Sequence, residues 1–200
     1  MPASPPPDIN PDTGSRLPLP DREALDEWGQ AQYDRYANFQ DGAIMGLKGP
    51  SALSLHSPAV MKHAGPLNGY LRFHTDLGAE LRELAILVTA REMDSHFEWA
   101  AHEDESQKEG VPAEVVDVVK HRKSTDGLAD DHKLVIDYGR AALRDHAVPP
   151  ELFAKLQDRF GPKGVVDLAY LMGNYATLAI FLATVNAQIP DGAPSTLPKD

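Results

Sequence analysis

The sequence predicts an all-α domain of about seven to eight helices. Apolar residues recur with a helical period along most of the chain, proline and glycine punctuate it where helices would start and stop, and no stretch shows the strict alternation of a half-buried strand. Residues 21 to about 39 place Leu25, Trp28, Gln32, Tyr36 and Phe39 near helical spacing, followed by a Gly-rich break over 41–50. In HSPAVMKHAG, Ser57 reads as an N-cap, Pro58 as the first helical residue and Gly65 as a stop or kink. Leu81, Leu84, Ala85 and Val88 mark one face of the next helix. Ser95 opens another that ends near Gly110, and Pro112 opens a short one through Val119. Leu134, Val135, Tyr138, Ala141 and Ala142 mark a further face, and Pro150 starts a helix through Phe160. After 161–164 the last helix runs over 165–188.

That last helix holds LAYLMGNYATLAIFLATV, eighteen residues without a charge, at the lower edge of a membrane-spanning length. Asn174 in mid-run, Asp167 just before it and the lack of a basic flank favour a central core helix instead. We therefore expect it to be deeply buried and the protein to need no membrane.

Three segments organise the chain: a Pro-rich arm over 1–20, a helical domain over 21–190 and a tail over 191–200. The arm has seven prolines and lacks the basic start and apolar middle of a secretion signal, so a cytoplasmic protein is expected. It should be either a tail without structure of its own or an arm lying on a neighbouring subunit. A net charge of −11 argues against nucleic acid and anionic membrane surfaces as partners. The absence of cysteine excludes disulfides, thiolate metal sites and thiol catalysis.

Chemistry concentrates in RELAILVTAREMDSHFEWAAHEDE, residues 82–105. Glu98 and His102, four apart, share a helix face, and Glu83 could reach the same point if the two helices pack as a hairpin. A carboxylate beside an imidazole suits proton transfer. The same residues admit a structural reading: Ser95 and Glu98 match a capping box, each satisfying the other's backbone N–H. Metal ligation is the weaker reading, because Glu98 and His102 lack the Glu-x-x-His spacing and His96 lies far round the helix. No G-x-S-x-G supports a serine nucleophile at Ser95, and no phosphate-binding glycine loop is present.

This stretch resembles the carboxymuconolactone decarboxylase family, which includes the AhpD-type alkylhydroperoxidases. That family carries a Glu, then after eleven residues Cys-x-x-Cys, then three residues and a His; the same spacing here reads Glu83, Ser95, Glu98, His102. Glu-Trp-x-x-His looks like the decarboxylase side of the family. The likeness of helix order extends from roughly 53 to 189. Both cysteine positions are occupied by Ser95 and Glu98, so thiol peroxidase chemistry cannot run through them.

The resemblance implies an AhpD-like helical fold, a homo-oligomer (trimer or hexamer) and a lyase, without cofactor or metal, acting on a small organic acid or lactone. His102 would donate the proton, Glu98 would orient it and hold its protonated form, and Glu83 would support from the preceding helix. A hydrolase or isomerase using the same pair, or a silent ligand-binding relative, is the alternative. An anionic substrate needs cations or donors; Arg82, Arg91, His56, His74 and His96 are candidates, with Ser95 at the helix start. Trp99 is either a core wall or a surface on which substrate stacks.

Overall fold

The computed structural model describes residues 6–38, 46–189 and 195–198. Eight α-helices are found among them: α1 Glu27–Asn38, α2 Pro50–Leu53, α3 Pro58–Phe73, α4 Ala79–Glu92, α5 His96–Lys108, α6 Ala113–Lys120, α7 Asp130–Leu143 and α8 Pro150–Thr184. Short 3-10 turns at Arg22–Ala24, Gly46–Lys48 and Ser54–His56 flank α1 and α2. The expected positions of Phe39 and of the first part of the Gly-rich break, 41–45, lie outside the described residues, as do 1–5, 190–194 and 199–200.

The most enclosed helix is α4, which differs from the sequence expectation. Nearly every residue from Leu81 to Arg91 is buried, because α5, α6, α7 and α8 surround it. α7 lies so close that a Cβ on Gly139 would collide with Val88. α8 buries only one face, through Leu168, Leu171, Met172, Tyr175, Ala179 and Leu182. Its other face leaves Val166 at 53%, Tyr170 at 60% and Ile180 at 59% exposed. An uncharged run cannot show which of its faces the fold will cover.

Two expected boundaries shift. α3 runs through Gly65 and Pro66 instead of ending there. Its packing against α8 and the turn after α2 outweighs the lost helical hydrogen bond. In α8 the expected 161–164 gap shrinks to Gly161, whose φ of 64° and ψ of 174° suit glycine almost alone. Pro162 then opens the second half, the helical position that tolerates proline best.

The described parts of the arm and of the tail pack on the helical domain. Asn10 Oδ1 accepts from the backbone of Asp12 and Thr13, folding the arm into a turn that buries Thr13 and Ser15. Arg16 N donates to Val185 O at 2.7 Å and Gln188 N to Gly14 O at 2.7 Å, fixing this turn to the end of α8. The described part of the arm is therefore not without structure of its own. In the tail, Ser195, Thr196 and Leu197 rest against α5, with Leu197 buried.

Candidate active site

α4 and α5 form the expected hairpin. Asp94, at φ 48°, turns the chain between them. Arg91 is buried and pins this turn by contacting Asp94 and by donating from Nε to Lys120 O at 2.9 Å on α6. The hairpin brings Glu83 of α4 against His102 of α5: Glu83 Oε2 lies 2.7 Å from His102 Nδ1. Glu98, one turn before His102, places Oε2 at 3.7 Å from Nε2. Glu83, Glu98 and His102 are 1%, 4% and 3% exposed, so all three act in a low-dielectric environment. Tyr175 of α8 meets the imidazole edge-on at 5.3 Å and confines its ring.

The two carboxyls differ in charge. Burial alone would raise Glu83, but the His102 hydrogen bond and the charges of His102, Arg72 and Arg82 outweigh it and hold its pKa below the usual carboxylate value. Glu83 is thus an anion that accepts from Nδ1–H. Burial pushes Glu98 the other way, and the charges of His102 and Arg72 offset only part of that rise. Paired acids whose environments drive them apart are suited to separate acid and base work. The separation at Nε2 exceeds hydrogen-bond length, leaving room for a reacting group or for closure when one binds.

A raised acid is favoured by folding when protonated. The stabilising contribution of Glu98 is complete below its unfolded pKa and is lost as pH rises through its folded value. Glu98→Gln removes that loss. Urea midpoints measured from about pH 4 to about pH 8 should therefore shift in favour of the variant as pH rises. A constant difference across the range would mean that Glu98 is not raised.

Glu98 and His102 open onto a cavity of about 440 Å³ bounded by α1, α3, α5 and α8. One face of α1 closes it with Trp28, Gln32, Arg35 and Tyr36. On α3, Gly65 and Gly69 bare the backbone, and Arg72 follows at the same helical face. Asn174 Nδ2 donates to Asn68 Oδ1 at 2.9 Å in the wall beside Tyr175. Phe97 and Leu178 supply apolar surface.

The capping box expected at Ser95 does not form. Ser95 occupies the N-cap position, but its side chain makes no cap hydrogen bond, and its N–H donates to Ala90 O at 2.7 Å. With that N–H satisfied by the preceding helix, the Glu98 side chain turns inward toward His102. Ser95, His96 and Trp99 are not among the residues that line the cavity. Trp99 is completely buried, donates to Thr196 Oγ1 at 3.2 Å and forms a core wall; His96 meets Ser195. His56 and His74 are exposed, His56 donating to Pro18 O at 2.8 Å and His74 closing α3. Arg91 is committed to the α4–α5 turn. Arg82 is the one expected cation near the pair, with Nε 3.4 Å from Glu83 Oε1, so it serves the carboxylate from outside the cavity lining.

Among the described residues no group of three histidines or carboxylates is arranged to hold a metal. Sequence reading passed over Arg72, Tyr175, Asn68 and the glycines of α3. The 65, 69, 72 spacing, which puts the one arginine of α3 on the face of its two glycines, is the signal that could have found the first.

Comparison with solved structures then decides the architecture. A peroxidase-related protein from Ralstonia eutropha JMP134, described as an alkylhydroperoxidase AhpD core, superposes with a TM-score of 0.72 at 18% identity, over 93% of this chain and 98% of that chain. The fold is AhpD-like. The debrominase Bmp8, in complex with 2,3,4-tribromopyrrole, shares it with a TM-score of 0.65 at 13% identity, over 84% of this chain and 90% of that one. No family model matches the sequence, and no curated protein is similar to it.

Proposed function

We propose that this protein is an acid–base enzyme of the lyase class, decarboxylase-like, that works without a cofactor on a small organic acid or lactone. One observation carries the reading: a buried Glu83–His102–Glu98 cluster whose last two members open onto a cavity. The description of both fold neighbours as enzymes or enzyme-related supports a catalytic role.

In this reading the two carboxylates take different roles. Glu83 contacts Nδ1 and lies outside the cavity, so it positions the ring and fixes Nε2 as the working nitrogen. Glu98 faces the cavity and is the carboxyl whose pKa burial raises. In a decarboxylation the carbon–carboxylate bond breaks, CO2 departs, and the electron pair passes into an adjacent carbonyl as an enolate. Glu98 protonates His102 Nε2, the doubly protonated ring then donates from Nε2–H to that carbon while Glu83 holds Nδ1–H, and solvent returns a proton to Glu98.

The test is a screen of lactone acids and β-keto acids for CO2 release, run alongside deuterium exchange in heavy water. Release of CO2 supports the lyase. Exchange without release supports the isomerase alternative, because the same groups would move a proton and leave the carbon skeleton intact. Neither signal from any acid would support a silent relative. A transition metal at full occupancy on the cluster would replace the scheme, since a ligated His102 has no free Nε2 pair.

We further propose that a second copy covers the exposed apolar face of α3 and α8, where Leu67, Tyr70, Tyr170 and Ile180 stand in water in the single chain. Light scattering should report an oligomer that Tyr170→Glu weakens. A monomer at micromolar concentration would rule this out.

A further inference from the structure

Arg72 lines the cavity together with Glu98 and His102. Its Nε is buried and has no hydrogen-bond partner among the described residues. No described carboxylate closes an ion pair with the guanidinium either, although its charge reaches both Glu83 and Glu98. The neighbouring Phe73 ring, 5.0 Å from Cζ, lies under the group. A buried guanidinium N–H without an acceptor is costly, and in a native protein it calls for an explanation. Here an explanation is at hand, since the residue that carries the unmet donor lines the cavity. Arg35, the other cation in the lining, is exposed on α1.

We propose that Arg72 is the anion anchor of this cavity and that its ligand is a small carboxylate with an apolar body. Nε–H and an adjacent Nη–H match the two oxygens of a carboxylate, a geometry that lysine cannot copy. The body of such a ligand would rest on Met61, Phe97 and Leu178, with its far end at His102 Nε2 and Glu98. This rests on the reading of the cavity as the site of a small acid, and adds the residue that selects the acid. It also sets the orientation. A carboxylate on Arg72 is a handle that stays on the molecule, because an ion pair to a departing carboxylate would stabilise the ground state more than the transition state.

The test is calorimetric titration of benzoate and of its neutral isostere benzamide into the full chain. Wild type should prefer benzoate by on the order of 30-fold or more, and Arg72→Gln should remove the preference while melting as a folded protein. Arg72→Lys keeps the charge without the fork and should bind benzoate more weakly than wild type. If Arg72→Gln does not fold, the lysine variant decides. Benzoate binding unchanged in either folded variant, or no preference in wild type, overturns the proposal. Failure of the lyase reading shows separately, as no CO2 release from any acid while benzoate still binds through Arg72.

Discussion

Glu83→Ala is expected to lower the free energy of unfolding by about 3–5 kcal/mol, the cost of removing one partner from a buried charged pair. Glu83 is 1% exposed and its carboxylate is the acceptor for His102 Nδ1 at 2.7 Å. Without it, the imidazole N–H faces a core formed by α4, α5 and α8, and Arg82 loses its neighbour as well. Urea denaturation measures the change. Its pH dependence is fixed in sign: the folded pKa of Glu83 is depressed, so its stabilisation is present above the unfolded carboxylate pKa and disappears as pH falls through the folded value. The deficit of the alanine variant should shrink accordingly in acid. Glu83→Gln keeps a hydrogen-bond acceptor and should cost less, but the imidazole nitrogen shifts of His102 should change, because a neutral amide no longer selects the Nδ1–H form. A loss below about 1 kcal/mol for Glu83→Ala would mean that the pair contributes no more than an exposed one.

Turnover is expected to respond to the other two residues. His102→Asn and Glu98→Gln should each reduce kcat on the true substrate by about 10²–10⁴-fold, the usual cost of losing a general acid or base. The double variant should be little worse than either single, because two groups that pass one proton act as a unit. Ser95→Ala provides the contrast. Its hydroxyl makes no cap bond and does not line the cavity, so it should alter both stability and turnover little. Near-full turnover in both His102→Asn and Glu98→Gln would end the acid–base mechanism.

Much of this molecule was legible in advance for definite reasons. Helical period exposed the helices from α3 onward, and the glycines of 161–164 revealed the break in α8, because glycine alone adopts such backbone geometry freely. Glu83, Glu98 and His102 were legible as a group through their spacing. Arg72 was not, because it stands eleven residues before Glu83 and meets the others only where α3 packs beside α8. The histidines favoured for substrate binding, His56 and His74, are exposed and do not line this cavity, for the converse reason: a place at the end of an apolar run does not say which way a helix end faces.

The sequence by itself determined an all-helical chain, the absence of thiol chemistry, and the presence of two carboxylates and an imidazole at a spacing that fits one hairpin. The tertiary structure decided what those groups are to one another. Burial and the short bond to His102 made Glu83 the anion and Glu98 the raised acid, an assignment that i, i+4 spacing cannot make because it counts turns and not desolvation. Packing likewise decided that α4, not α8, lies at the centre, and that the bare glycines of α3 end at Arg72 in a cavity. Local sequence sets which faces a helix offers, but the energy of covering each face depends on neighbours distant along the chain.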